Sequence, residues 1–173
     1  MYSWYRIKKI GQIISIEQND SESLKFIEKN LDKIKDPHYK ILFDVANIYK
    51  NFGKYQRSIN YYNLVLNKLD KKSDSYADAL YRRGSSFERL KEFKKADTDL
   101  LNSLSIFPND PYVLNYLAYS WLERNINIDR SIEMLKEAYQ NTTNNPYITD
   151  SLGWAYYLTC LLYTSPSPRD FQV

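Results

Sequence analysis

The sequence predicts an all-α fold, an α-solenoid built from stacked antiparallel helix pairs. Small residues recur inside amphipathic segments at intervals of 34 to 38 residues, where they allow two helices to approach closely. Prolines fall between these segments, where they end one helix pair before the next begins. The recurring small residues are Gly11, Ala46, Gly84, Ala118 and Gly153, and the prolines are Pro37, Pro108, Pro111 and Pro146.

The stretch 80–108 contains the clearest helix pair. Small and apolar residues recur at helical spacing in two segments, which the short turn at 91–93 separates. Pro108 ends the pair because it cannot continue a helix. The first helix carries Leu80, Gly84 and Phe87 on one face, and the second carries Ala96, Leu100 and Leu104.

The same register can be followed in order along the rest of the chain. Three positions after each small residue lies an apolar, mostly aromatic one: Ile14, Tyr49, Trp121 and Tyr156. The second helices carry Phe26–Ile27–Leu31, Ser58–Tyr62–Leu66 and Ile132–Leu135–Ala138–Tyr139. Gly53 marks the turn after a first helix. The polar insertion 70–75 explains the longest interval, and 125–129 lengthens one inner turn.

This register resembles the tetratricopeptide repeat and can be followed over residues 1–157. The segment 113–158 is also similar to the carboxy-terminal repeats of a bacterial family of tetratricopeptide proteins, many of which are exported or lipid-anchored. The resemblance implies a right-handed superhelix whose function lies on a surface. We expect a repeat array over 1–159, with about four helix pairs and the first helix of a fifth, roughly 147–158.

Residues 160–173 do not fit the register. The segment 160–170 reads CLLYTSPSPRD, which resembles the translation of a transposase-type sequencing adapter. We therefore expect a non-native tail, 160–173, fused to a truncated gene, which contributes nothing to the predicted fold. Because Cys160, the only cysteine in the sequence, lies in this tail, we expect it to have no nucleophilic or redox role.

Composition agrees with a helical array and excludes several classes of function. Hydrophobic residues make up 43% of the 173 residues, and no apolar run approaches the ~18–20 residues of a membrane span. The net charge of +3 is too small to indicate a nucleic-acid partner, since Lys and Glu alternate along the helices. The amino terminus enters the first helix without the apolar segment of a secretory signal, so the sequence is compatible with a cytoplasmic location, or with a periplasmic one if a leader is missing.

The sequence offers no set of residues for catalysis, a metal or a cofactor. His38, the only histidine, lies at a junction between helix pairs, and we expect it near the surface. Histidine or cysteine pairs at metal-binding spacing are absent, as is a glycine-rich phosphate loop. We expect Asp97/Asp99 and Glu133/Glu137 on exposed helical faces, where their role is solvation. We therefore predict a protein that is not an enzyme and binds no cofactor.

The resemblance implies a concave groove lined by the first helix of each unit. In the family, the residues three before and one after the small position face this groove. Aromatic side chains there would supply apolar contact, and amides and hydroxyls would bond a peptide backbone; alternatively, several aromatics fill the superhelix interior. The candidates are Lys8, Gln12, Phe43, Asn47, Tyr81, Ser85, Asn115, Tyr119, Asp150 and Trp154, with Arg82 as a further cation.

Some members of the family hold a partner's terminal carboxylate with lysine and asparagine side chains. Lys8 has a suitable place for this, yet Gln12 and Phe43 stand where asparagine and lysine would be needed. An extended or short helical segment of a partner therefore fits the mixed aromatic and amide groove better.

Three functions are compatible with the sequence. The first is a non-catalytic adaptor that binds a peptide segment of a partner protein in the groove. The second is a structural scaffold or assembly factor, for example in the bacterial envelope, that acts through stacking of repeat ends. The third is a regulatory arm of a larger enzyme. The unfinished fifth unit also predicts self-association or fraying at its exposed helix.

Overall fold

The computed structural model describes residues 3–142 and 144–164. Within these ranges nine α-helices and no strand form the fold, which confirms the predicted all-α class. They are α1 (Trp4–Glu17), α2 (Asp20–Leu31), α3 (Tyr39–Asn51), α4 (Tyr55–Leu66), α5 (Asp74–Arg89), α6 (Phe93–Ile106), α7 (Pro111–Glu123), α8 (Ile128–Gln140) and α9 (Pro146–Thr164). Residues 165–173 of the predicted tail lie outside the described residues.

The chain divides between Asp99 and Leu100 into two compact units. We call the described residues 3–99 the N-terminal unit, and 100–142 with 144–164 the C-terminal unit. Throughout these ranges, no helix combines the length and the apolar character that a membrane crossing requires.

Capping side chains explain where several helices begin. Asn19, Ser73 and Asp110 each accept a hydrogen bond from a backbone N–H in the first turn of α2, α5 and α7. Pro111 occupies the first turn of α7, where a missing N–H costs nothing. His38 caps α3 through its ring nitrogen and is exposed, as predicted for a residue at a junction.

In the N-terminal unit, α1 packs on α2, α3 on α4, and α4 on α5. The turn after α3 contains Gly53 at φ 68°, a backbone conformation that residues with a side chain rarely adopt. A core cluster joins α2 to α3 and consists of Leu24, Ile27, Leu31, Val45 and Tyr49.

Gly11 lies at a close contact between α1 and α2. A Cβ atom at this position would lie 2.9 Å from Ile27 Cδ1, closer than packed carbon atoms approach one another. The Ser23 hydroxyl donates a 2.7 Å hydrogen bond to the Gly11 carbonyl across the same contact. The prediction that this glycine permits close helix packing is confirmed.

The N-terminal unit also contains a buried ion pair. Arg83 on α5 donates two hydrogen bonds of 2.7 Å, from Nε and Nη2, to the two carboxylate oxygens of Asp99. Asp99 is only 4% exposed, so the prediction that its carboxylate lies on an exposed helical face is wrong. The physical reason is the Arg83 guanidinium, which neutralises the Asp99 carboxylate and donates a hydrogen bond to each of its oxygens in place of water. Glu133 and Glu137, by contrast, are exposed as predicted.

In the C-terminal unit, α8 packs against both α7 and α9, and α7 also contacts α9. Asn125 and Asn127 adopt positive φ angles of 56° and 49° in the lengthened turn between α7 and α8, which asparagine tolerates better than most residues. Helix α9 continues to Thr164, beyond the predicted end near residue 158. The buried apolar side chains of this unit include Leu117, Ala118, Trp121, Leu135, Ala138, Ile148 and Ala155.

The packing around Gly153 in α9 differs from the prediction. It is exposed, and a Cβ atom there would meet no described heavy atom within 4 Å. The prediction that it marks a close approach between two helices is therefore wrong. Within the described residues no helix follows α9 to pack against this position.

The two glycines allow a matched test of helix packing. We expect Gly11→Val to lower the free energy of unfolding by about 1–3 kcal/mol, because the new side chain overpacks against Ile27. Gly153→Ala should raise it by about 0.5–1 kcal/mol, because it adds helix propensity without a clash. Urea unfolding followed by far-UV circular dichroism measures both. A Gly11→Val protein as stable as the parent would contradict the close contact.

Candidate binding surfaces

The predicted groove residues of α1 are held by bonds within the N-terminal unit. Lys8 Nζ donates to Asp44 Oδ1 at 2.9 Å, and Trp4 Nε1 donates to the other carboxylate oxygen at 2.8 Å. The Asp44 carboxylate is therefore satisfied from both sides, and it offsets the charge of Lys8. Gln12 is exposed to solvent on the same helix.

Arg82 on α5 bonds to the predicted groove residues of α3. Its Nε donates to Asp78 Oδ1 at 2.8 Å, and its Nη1 donates to Asn47 Oδ1 at 3.3 Å. The Tyr62 hydroxyl donates to the same Asn47 oxygen at 2.6 Å, and burial raises the pKa of this Tyr62 phenol. The guanidinium carbon of Arg82 lies 5.3 Å from the Phe43 ring centroid, a cation–π contact. These groups stabilise one another within the unit.

Lys50 is a further cation on this face. Its Nζ donates to Ser85 Oγ at 2.5 Å, and Ser85 is buried. Burial, reinforced by the neighbouring positive charge of Arg82, lowers the pKa of Lys50 to about 8, and Asp78 partly opposes the shift. Tyr81, the other candidate on α5, is half-buried.

A small pocket of about 350 Å³ opens between the starts of α3 and α5. Of the predicted groove residues, Phe43 lines it. The lining combines aromatic, acidic and basic groups: Tyr39, Lys40, Phe43, Asp44, Ser75 and Asp78.

The C-terminal unit has a larger and more open pocket, which we call the α7–α9 pocket. Its volume is about 740 Å³. It brings together three of the predicted candidates, Tyr119 from α7 with Asp150 and Trp154 from α9. The residues that line it are Tyr119, Thr149, Asp150, Gly153, Trp154 and Tyr157.

Aromatic rings form one wall of the α7–α9 pocket. Trp154 and Tyr157 stack with their ring centroids 5.5 Å apart and their planes 25° from parallel. The Trp154 Nε1 donates to Glu123 Oε1 at 3.2 Å, which helps to hold the indole in place. Tyr119 and Trp154 remain 40% and 37% exposed. Large aromatic groups left open in a concave site are typical of binding surfaces.

The electrostatic environment of the α7–α9 pocket is negative. Burial is the largest cause of the raised pKa of the Tyr119 phenol, and the carboxylates of Glu123 and Asp150 raise this pKa further. Residues 100–164 contain six acidic and three basic side chains, and among the described residues no lysine or arginine lines the pocket. An anionic partner would therefore be repelled from this site.

Sequence reasoning missed Glu123, Thr149 and Tyr157. Helical spacing was the available signal, because Glu123 lies four residues after Tyr119 and Tyr157 lies three after Trp154. Asn115, a candidate on α7, is half-buried, and its Oδ1 atom is buried without a hydrogen-bond partner in the described residues. This oxygen is not presented to solvent.

A tetratricopeptide-repeat family model matches residues 39–67 and 77–110. No curated protein sequence matches the chain. The fold is similar to several solved tetratricopeptide structures, which confirms the predicted α-solenoid class. MamA from Desulfovibrio magneticus RS-1 is 18% identical, with a TM-score of 0.68 over 91% of this chain and 85% of that chain.

Two other solved structures are similar at comparable identity. BtubC from P. vanneervenii is 17% identical, with a TM-score of 0.73 over 97% of this chain and 74% of that chain. The first tetratricopeptide domain of Spaghetti (RPAP3), bound to the HSP90 peptide SRMEEVD, is 17% identical, with a TM-score of 0.63 over 70% of this chain and 93% of that chain. At these identities the likeness concerns the fold alone.

Proposed function

We propose that this chain, which has the fold of tetratricopeptide-repeat proteins, is a non-catalytic adaptor that binds a peptide segment of a partner protein in the α7–α9 pocket. One observation carries the proposal. The pocket collects three first-helix candidates, and the aromatic rings of two of them, Tyr119 and Trp154, remain partly exposed. The candidates Lys8, Asn47, Arg82 and Ser85 of the N-terminal unit, by contrast, already bond to other side chains.

The pocket has the chemistry that peptide binding needs. Tyr119, Trp154 and Tyr157 offer large apolar surfaces at a low cost in side-chain entropy, as in other protein interfaces. Thr149 and Asp150 add polar groups at the edge, where they would orient a backbone. The RPAP3 domain, which has a similar fold, holds a peptide in its solved structure, and this supports peptide binding by the present chain.

A selection experiment tests the proposal without requiring an identified partner. Heptapeptides from a random phage-displayed library are selected on the full chain, and the enriched peptides are synthesised and titrated by isothermal calorimetry. We expect Tyr119→Ala combined with Trp154→Ala to weaken binding at least about ten-fold, since both anchors are lost. Tyr139→Ala on α8 is the matched control, because that ring is 49% exposed and lies outside the pocket lining.

Three outcomes of the selection matter. Loss of binding in the double variant, with the Tyr139→Ala control unchanged, supports the proposal. Failure to enrich any peptide, or equal binding by the double variant, contradicts it. Sedimentation velocity on the same samples reports the self-association expected from the exposed helix α9, so that association is not mistaken for peptide binding.

A further inference from the structure

We propose that the α7–α9 pocket selects partner segments that present an arginine side chain, an inference that rests on the proposed function. The aromatic wall supplies the first argument. The Trp154 and Tyr157 rings stack with nearly parallel planes and remain partly exposed, so aromatic surface stays open to a ligand. A planar guanidinium stacks on such a surface and gains a cation–π attraction, which tryptophan supports best.

The carboxylates at the pocket supply the second argument. Asp150 lines the pocket on the same helix as Trp154, and Glu123 contacts the Trp154 indole. Asp150 forms no ion pair within residues 3–142 and 144–164. A guanidinium lying on the aromatic wall would place its N–H groups toward a carboxylate that has no cationic partner in these ranges.

The basic residues of the C-terminal unit supply the third argument, because they are placed elsewhere. Arg130 lies over the Trp121 ring at 5.5 Å, and Lys136 lies over the Tyr156 ring at 5.9 Å. Arg124 donates from Nε to the Ser120 carbonyl at 3.0 Å. Among the described residues, the α7–α9 pocket thus combines aromatic faces and negative charge with no internal cation in its lining. This composition is complementary to a cationic side chain of a partner protein.

Arginine fits this site better than lysine because of its shape. A guanidinium is planar, is weakly hydrated and donates up to five hydrogen bonds in a fixed geometry. An ammonium group is compact and strongly hydrated, and it would give up more of its hydration at a flat wall. Charge complementarity alone would favour arginine and lysine side chains equally. Tighter binding of arginine would therefore indicate that its guanidinium stacks on the aromatic wall.

Short defined peptides test the inference by NMR titration of the full chain. The probes are acetyl-Gly-Gly-Arg-Gly-Gly-amide, the same peptide with citrulline, which is isosteric and uncharged, and the same peptide with lysine. The readouts are the Trp154 indole N–H and the Gly153 amide resonances. We expect the arginine peptide to bind about ten-fold more tightly than the citrulline peptide, with the lysine peptide between them.

Matched variants assign the effect to the carboxylate. Asp150→Asn should reduce the arginine-to-citrulline ratio about five-fold, because it removes the charge while keeping the shape. Glu133→Gln on α8, an exposed carboxylate outside the pocket lining, should leave the ratio unchanged. A spectrum of each variant with otherwise unshifted resonances shows that the fold is retained.

The possible failures can be told apart. Equal binding of the arginine and citrulline peptides, an unchanged ratio in Asp150→Asn, or no shift of Trp154 at peptide concentrations on the order of 10 mM would overturn the arginine preference. The proposed function would still stand if library peptides without arginine bind and lose affinity in the Tyr119→Ala, Trp154→Ala protein. If no peptide of any kind binds, both proposals fail.

Discussion

Replacing Arg83 with alanine is expected to lower the free energy of unfolding by about 3–5 kcal/mol, the largest loss we predict for a single side chain. The substitution removes both hydrogen bonds to the Asp99 carboxylate and leaves a nearly buried negative charge without a cation. It also removes the bond of 2.8 Å from Arg83 Nη1 to Asn63 Oδ1 on α4. Far-UV circular dichroism during urea unfolding gives the free energy.

An exposed ion pair provides the control for Arg83. Arg57 lies 3.4 Å from Glu28, and its side chain is 65% exposed, so Arg57→Ala should cost no more than about 1 kcal/mol. Combining Arg83→Met with Asp99→Leu should recover much of the loss, because the double variant buries apolar groups in place of a lone charge. A loss in Arg83→Ala no larger than that in Arg57→Ala would show that the buried pair is unimportant for stability.

Replacing Lys50 with methionine is expected to stabilise the protein by about 2 kcal/mol at pH 7. Burial and the charge of Arg82 disfavour the ammonium and bring its pKa to about 8, from 10.5 in an unfolded chain. The variant keeps the length of the side chain and removes the charge. The lost hydrogen bond to Ser85 offsets part of the gain. Lys40→Met, an exposed position on the same helix, is the control and should change stability little.

The pH dependence identifies the cause of this gain. Between pH 8 and 10.5 the unfolded chain holds the Lys50 proton while the native state releases it, so native stability rises with pH in this window. The Lys50→Met protein should lack this rise, and its advantage over the parent should shrink from about pH 7 to about pH 9.5. Measurements stop there because the buried phenols of Tyr49 and Tyr62, whose pKa values are raised, add their own pH dependence above about pH 10. Parallel pH profiles for the two proteins would contradict the explanation.

The helical repeat could be predicted from the sequence because it depends on local spacing. A small residue followed three positions later by a large apolar one defines a packing face, and this pattern repeats from Gly11 to Gly153. Prolines and glycines at the junctions then fix where helices end, as Gly53 does after α3. The fold therefore follows from short-range patterns, which do not depend on which side chains meet between helices.

The bonds that join side chains from different helices could not be predicted in this way. Nothing in the spacing of Arg83 and Asp99 indicates that they meet, and a carboxylate is usually placed in water. The Lys8–Asp44 pair likewise joins two helices whose relative rotation the sequence does not define. Of the predicted groove residues, Tyr119, Asp150 and Trp154 line one pocket, and their role in binding stays a prediction. Its negative environment depends on Glu123, which only the packing of α7 against α9 brings to the indole.

The residue at position 153 influences how much space the α7–α9 pocket offers, because Gly153 lines the pocket without a side chain. An interior helical glycine costs roughly 1 kcal/mol relative to alanine, and here nothing described within 4 Å requires the missing side chain. Any larger residue would strengthen α9 while it occupies space between Asp150 and Trp154. Stability and ligand capacity are thus opposed at one position. Graded substitution there, from alanine to serine to valine, offers a way to retune selectivity without redesigning the rest of the array.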